Sequence, residues 1–395
     1  MAVKQVKRQQ AKDGKTTRYT TIKARLYPNE VQAALFENTF GCCRYIWNRM
    51  LADQQRFYIE TDKHFIPTPA KYKKEAPFLK DVDNQALIQE HNKLSQAFRV
   101  FFKNPESFGY PNFKKKKTDR DSFTACNHEF ESGPTIYITK DGIRMTKAGI
   151  VRTKFPRRPR NGWKLKRVTV EKARSGKYYA YILYEYTVKE PEQVVPTAET
   201  TLGLKYSMTH FYVADDGRIA DAPHWLKQSQ EKLVKIQRRL CRMQPGSKNY
   251  QEAVQKYREL HEHIANQRRD FIHKESSRIA NDWNAVCMRN DSMQEVSKKK
   301  VLPGNALDSG FGMFREYLRY KLARQGKQLI LLDRYAPTTR ICSICGQVHS
   351  CDLHRRTVWV CAKCGTKHHR EANAAKNIKA QGLAQYFSMQ ERAIA

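Results

Sequence analysis

Cys342-x2-Cys345 and Cys361-x2-Cys364, with 15 residues between the pairs, are the stretch of this chain best suited to chemistry. Each pair turns two sulfurs towards one ion, and four soft anionic ligands close a tetrahedron around zinc. A site filled in this way has no open position for a substrate, so the expected zinc is structural. The RRTVWV segment (355–360) has the β-type composition needed to fold one cysteine turn onto the other. Cys351, His349, His354 and His368 lie close by and are expected to be surface residues, not ligands. With ten cysteines in 395 residues and four of them in CxxC units, the remainder read as reduced thiols and not as a disulfide framework.

A second set of residues suits nucleic acid. FGYPNFKKKKTDRDSF (108–123) carries Lys114, Lys115, Lys116 and Lys117 beside aromatic rings. VRTKFPRRPRNGWKLK (151–166) carries Arg157, Arg158, Arg160 and Trp163, and SKKKVLPGNALDSGFG (297–312) carries Lys298, Lys299 and Lys300. Rings of this kind stack on bases while the cations meet phosphates. The whole chain agrees: 73 Lys and Arg against 39 Asp and Glu give a formal charge of +34. Such an excess repels itself unless a polyanion neutralises it, and binding should depend steeply on salt. A membrane is the weaker partner, because no apolar run of 18 residues is present. The start, MAVKQVKRQQAKDGKTTRY, lacks the apolar core of a secretion signal.

These residues need elements to position them. TRYTTIKARLYP (17–28) alternates as a strand does, and from Asn29 apolar residues recur at helical spacing (Leu35, Phe36, Phe40, Cys43, Ile46, Trp47, Leu51). Cys42 and Cys43 read as small buried hydrophobes. A second helix is expected over 83–103, then β structure from about 133 to 190 with turns at Asp141-Gly142 and Ser175-Gly176. KEPEQVVPTAE (189–199) reads as a linker. After it come two strands joined at Asp215-Asp216-Gly217, two helices split at 244–249, a strand at 285–288, a helix from 313 to 326 and a strand at 328–335. Asp215 and Asp216 are expected to be solvated.

The chain resembles the TnpB proteins of bacterial transposons, compact RNA-guided relatives of type V CRISPR effectors. The resemblance runs through ARLYPNEVQAALFENTFGCCRYIWN, SQAFRVFF, FGYPNFKKK, LGLKYSM, QRRLCRMQPGSKNY, LHEHIANQRRDFIHK, DSGFGMF, CSICG, CAKCG and REANAAKNI, which together span nearly the whole sequence. It implies an α+β multidomain fold. An OB-like β-barrel wedge domain (1–30 and 121–195) would be interrupted by a helical recognition lobe (31–120). A RuvC-like (RNase H-like) α/β domain (196–337 and 368–395) would carry an inserted zinc ribbon (338–367). It also implies a guide RNA and double-stranded target DNA beside a short adjacent motif as partners, and a bacterial cytoplasmic location on the nucleoid.

The resemblance implies a two-metal nuclease site with one carboxylate from each of three segments. At those positions this chain has Lys205, Arg289 and Glu371, with His369 where a further acid is common. Mg²⁺ wants oxygen ligands, and two ions about 3.5–4 Å apart serve the attacking and leaving oxygens. Lys and Arg offer donors only. No catalytic residue and no catalytic Mg²⁺ are therefore expected. The two cations would instead meet the phosphate backbone or pair with Glu371. The favoured reading is a relative of the TnpB-like nuclease-dead repressors, not an enzyme, which blocks transcription by occupying guide-matched DNA. The alternatives are an active endonuclease that recruits Asp291, and a guide-free zinc-ribbon DNA-binding protein.

Overall fold

Asn29 ends one element and starts the next. In the computed structural model, which describes residues 15–207, 209–221, 225–292, 310–349 and 357–394, β1 (Lys15–Tyr27) stops just before it and α1 (Glu30–Thr61) begins just after. The Asn29 side chain accepts the Gln32 N–H at 2.8 Å, and the Gln32 side chain accepts the Asn29 N–H at 3.1 Å. This reciprocal cap satisfies two of the donors that a helix start leaves unpaired. Asp83 caps α2 (Asn84–Lys103) through the Gln85 N–H. Two 3₁₀ turns, Pro69–Lys73 and Pro77–Lys80, join the helices.

The chain divides into two units, Met1–Lys189 and Glu190–Ala395. In the first, β2 (Asp121–Cys126), the ribbon β3 (Glu129–Phe130) and β4 (Gly133–Pro134), β5 (Tyr137–Ile138), β6 (Gly142–Met145), β7 (Gly149–Lys154), β8 (Lys164–Lys172) and β9 (Tyr178–Lys189) follow the helices. Seven of the strands form one antiparallel sheet in the order β2-β8-β9-β1-β7-β6-β5. Alternation along β1 buries Ile22, Ala24 and Leu26 and turns Lys23, Arg25 and Tyr27 outward. Phe36 and Phe40 of α1 both meet Phe123 of β2 with ring centroids 5.6 Å apart, so the helices and the sheet share one core. Cys42 and Cys43 are buried in that core, as their apolar surroundings predict.

The second unit holds β10 (Thr201–Tyr206), β11 (Tyr212–Ala214), β12 (Ile219–Ala220), α3 (Trp225–Cys241), α4 (Lys248–Asp282), β13 (Ala285–Arg289), α5 (Phe311–Arg324), β14 (Gln328–Leu332), β15 (Val358–Val360), β16 (Lys367–His369) and α6 (Arg370–Ile394). Five strands make a mixed sheet ordered β12-β11-β10-β13-β14, in which β10, β13 and β14 run parallel. Parallel strands are buried on both faces and lose the alternation that marks a half-exposed strand. Accordingly, Ala285, Val286, Cys287 and Met288 are all fully buried. Residues of α4 and α5 share one core with the sheet, while α6 lies along β10, β13 and β14. The approach of α6 is so close that a Cβ at Gly203 would collide with the Ala375 carbonyl.

The Asp215 side chain corrects its expected solvation. It accepts the Gly203 N–H at 2.7 Å and pairs with Lys379 of α6 at 2.9 Å. A carboxylate this enclosed needs such partners. Asp216, its neighbour, stays at the surface and pairs with Arg218.

Candidate functional site

The second unit brings Lys205, Arg289 and Glu371 together where parallel strands end. Leu204 and Met288 are register partners, so Lys205 and Arg289 are the next residues along β10 and β13. Clefts beyond the carboxyl ends of parallel strands are where open α/β sheets commonly place ligands. Glu371 arrives from the first turn of α6, and its Oε1 accepts the Ser207 hydroxyl at 3.1 Å. Arg370 stands 3.8 Å from the same oxygen.

Charge decides what this group can hold. Burial, and then the Arg289 charge, push the Lys205 pKa below lysine's usual value; Glu371 and Asp291 oppose that shift, and Arg370 adds to it. The Lys205 ammonium donates to the Tyr206 carbonyl at 2.7 Å. Arg289 takes Asp291 as its ion-pair partner at 3.0 Å, although the strand itself stops at Arg289. The Asp291 carboxylate is thus bound to a guanidinium. Arg289 pairs with Asp291 and Arg370 stands against Glu371, so both carboxylates already have cationic partners, which disfavours a divalent ion. His369 lies on β16 opposite Val358 and is exposed.

The four cysteines do converge. The Sγ atoms of Cys342, Cys345, Cys361 and Cys364 all lie within 4.8 Å of one another, with separations of 3.7 Å (Cys342–Cys364) and 3.6 Å (Cys345–Cys361). A tetrahedron with metal–sulfur bonds of about 2.3 Å has edges of about 3.8 Å, so the spacing fits zinc. The two turns share one backbone pattern: Gly346 N–H donates to the Cys342 carbonyl at 3.0 Å and Gly365 N–H to the Cys361 carbonyl at 2.9 Å. Both glycines have positive φ, 72° and 68°, the left-handed region that favours glycine. Donor chemistry agrees with the geometry. The Thr366 hydroxyl and N–H hold the Cys364 thiol down at about 6. Despite the Gln347 N–H, burial and the neighbouring thiols push Cys345 up to about 12. Four sulfurs this close need a cation before all can ionise.

His368 corrects its expected place on the surface. It is 6% exposed, lies 4.7 Å from the Trp359 ring, and its Nε2 is 3.1 Å from Cys342 Sγ. His349 packs on the same indole at 4.5 Å. Cys351 and His354 fall outside the described residues, as do Lys298, Lys299 and Lys300. The asparagines of the NAAKN run are buried and structural. Asn373 accepts the Ser343 N–H and donates to the Ile341 carbonyl, while Asn377 donates to the Thr338 and Ile341 carbonyls.

In the first unit the proposed nucleic-acid contacts divide into two kinds. Lys115, Lys116, Lys117, Arg157 and Arg160 are exposed. Arg158, also exposed, donates to the Thr139 and Lys140 carbonyls at 3.0 Å each, and Trp163 stacks on Tyr186 at 5.0 Å. Lys114 is held inward, 2.5 Å from the fully buried Glu90 carboxylate and 4.1 Å above the Trp47 ring. Lys114→Met is therefore expected to lower the unfolding free energy of the free protein by about 1–3 kcal/mol, because a buried acceptor loses a donor. Changing Lys116 or Lys117 to Ala should leave the denaturant midpoint unmoved and lower the salt slope of nucleic-acid binding by about one. Equal midpoints for the two kinds of variant would remove the distinction.

A cation–aromatic ladder on the same sheet escaped attention in the sequence. Lys23 faces Tyr181, Arg25 faces Tyr179 and Tyr27 faces Arg152 in register, and Lys23 Nζ is 3.9 Å from the Tyr179 ring centroid. The alternating positions of KARLY and YYAY carried this signal.

A fold of this kind is shared with known proteins. Family models match residues 311–378 ("Cas12f1-like, TNB domain"), 181–289 ("Probable transposase", IS605 OrfB type) and 18–63 ("Helix-turn-helix domain", IS605 OrfB type). The last covers most of β1 together with the single helix α1. A Streptomyces pristinaespiralis protein named "Putative RNA-guided DNA endonuclease" is 28% identical over 373 residues, covering 92% of this chain and 89% of that protein. An Escherichia coli K12 protein, "Putative RNA-guided DNA endonuclease InsQ", is 28% identical over 390 residues, 93% of each chain. The Cas12f1 chain solved with sgRNA and target DNA superposes with a TM-score of 0.56 at 11% identity, over 93% of this chain and 99% of that one. The architecture is thus of the mixed α/β multidomain Cas12f type. Parts of the chain thus resemble the IS605 transposase family, and its relatives include proteins named as putative RNA-guided DNA endonucleases.

Proposed function

We propose that this protein is an RNA-guided DNA-binding protein that occupies guide-matched duplex beside a short motif and does not cut it, so that it represses transcription. The observation that carries this reading is the placement of Lys205 and Arg289 at the ends of β10 and β13, beside Glu371 and with Asp291 bound to Arg289. In such proteins base pairing with the guide reads sequence, while the protein senses the adjacent motif and the shape of the heteroduplex. A formal charge of +34, the exposed Lys115–Lys117 and the ladder of Lys23, Arg25 and Arg152 among tyrosines supply the cationic and stacking surface this requires.

We assign the barrel-type domain to 1–30 and 121–195, the helical lobe to 31–120, the RuvC-like domain to 196–337 and 368–395, and the ribbon to 338–367. The three parallel strands flanked by an antiparallel pair support the third assignment. Zinc on Cys342, Cys345, Cys361 and Cys364 would hold the ribbon's two turns together and serve no chemical step.

The test is to purify the protein with RNA expressed from its own flanking DNA and incubate it with matched duplex in Mg²⁺ or Mn²⁺. Guide-dependent retention of intact DNA is the expected result. Cleavage would overturn it in favour of an endonuclease with unusual ligands. Binding indifferent to RNA would favour a guide-free zinc-ribbon protein.

A further inference from the structure

Each turn of the cysteine cluster brings a hydrogen-bonding group towards a sulfur, and one further group comes from outside the turns. Cys364 Sγ has the Thr366 hydroxyl at 3.2 Å, and Cys345 has the Gln347 N–H. Both donors sit two residues after their cysteine, where any CxxC turn presents them. Cys342, fully buried, has instead the imidazole Nε2 of His368 at 3.1 Å, from a residue 26 positions along the chain. His368 is the middle residue of β16, in register with Trp359, and its neighbours Lys367 and His369 are exposed. The strand therefore turns a single side chain inward, onto one sulfur. The four sulfurs already satisfy a tetrahedron among themselves, so the imidazole is not a fifth ligand.

A metal-bound thiolate accepts hydrogen bonds, and a donor drawn to it takes electron density from the sulfur and fixes its orientation. Outer partners of this kind commonly control metal affinity by 10–100-fold. The donor here also stands three residues before Glu371, and α6 is tied to the same turn by Asn373 on Ser343 and Ile341. One sulfur, β16 and the first turn of α6 thus form one connected series.

We propose that His368 is the positioning residue of the metal centre, donating its Nε2–H to the Cys342 thiolate and thereby fastening the strand that leads into Glu371 to the metal. This rests on the assignment of a metal to the four cysteines. The full-length protein is loaded with zinc or exchanged with Co²⁺, and three variants are compared with the parent: His368→Phe, His368→Gln and His349→Phe. The last exchanges the imidazole at the other contact of Trp359 for a phenyl ring without touching sulfur.

His368→Phe is expected to bind its metal about 10–100-fold more weakly in competition with a chromogenic chelator. Its sulfur-to-Co²⁺ charge-transfer band should move to lower energy, because an unbonded thiolate is the better electron donor. His368→Gln, which keeps an N–H, should recover most of both properties, and His349→Phe should match the parent. Hydrogen exchange at the 367–373 amides should quicken in the Phe variant while the metal is still bound. Unchanged band and affinity in His368→Phe, an equal loss in His349→Phe, or a Gln variant no better than Phe would each reduce His368 to ring packing. If the Phe variant takes up no metal, rescue by Gln supports the proposal and failure to rescue overturns it. A parent chain that binds no metal is a separate result, and refutes the metal assignment itself.

Discussion

Exchanging Lys205→Asp together with Arg289→Glu is expected to give a guide-loaded protein that cuts matched DNA slowly in Mg²⁺ or Mn²⁺, where the parent leaves it intact. The parent group holds Lys205, Arg289 and Arg370 against Asp291 and Glu371. The exchange leaves one cation against four carboxylates and frees Asp291 from its guanidinium. A bound metal contributes several kcal/mol to a phosphoryl transition state, which corresponds to about two to three decades in rate. The backbone should tolerate the exchange, because both positions lie at strand ends where solvent can be drawn in. Adding Glu371→Gln should abolish the recovered activity, since that side chain would be one of the metal's ligands. A second readout separates misfolding from failure: Mg²⁺ should raise the melting temperature of the double variant and not of the parent. A variant stabilised by Mg²⁺ that still leaves DNA whole would show that more than ligands has been lost. Stabilisation of the parent by Mg²⁺ would show that its charges do not exclude the ion.

The cationic character of Lys205 and Arg289 was legible because it needs only residue types. Local signals were legible as well. Asn29 and Asp83 precede apolar periodicity and cap their helices, and the CxxC spacing specifies four converging sulfurs. What stayed hidden is contact between distant residues. Nothing within AVCMR or QLILL says that these strands lie parallel, because a strand buried on both faces has no alternation to read. Asp215 looked like a turn residue because its partner Lys379 is 164 positions away. Lys114 looked like one of four equivalent lysines because Glu90 and Trp47, which single it out, come from two helices. His368 and His369 are adjacent in the sequence, and only the pleat of β16 sends one inward to sulfur and the other to solvent. Burial of a charged or polar side chain depends on such partners, so sequence reading fails most often at these sites.

Stripping the metal should unfold the ribbon while the five-stranded sheet remains. Among the described residues, the ribbon's own core consists of Cys342, Trp359 and Cys361, with Cys345 packed against it. A buried apolar side chain contributes roughly 1.5–3 kcal/mol, whereas fixing each backbone residue costs about 1–2 kcal/mol. Three such side chains cannot order the two turns and the β15–β16 pair. Structural zinc in small domains supplies about 10–16 kcal/mol of apparent binding free energy at neutral pH, enough to reverse that balance. Treatment with a strong chelator, or Cys361→Ser, should therefore release about one zinc per chain and expose the 342–349 and 357–369 amides to rapid exchange. Protection should persist in β10, β13 and β14, whose core is formed with α4, α5 and α6. Loss of the ribbon also removes the Ile341 and Thr338 carbonyls that Asn373 and Asn377 hold, so the first turn of α6 should fray and guide-dependent DNA affinity should fall with it. Restoring zinc to the chelated protein should reverse every effect, and restoring it to Cys361→Ser should not. Ribbon amides that stay protected after the zinc has left would mean that the fold, not the ion, holds these turns.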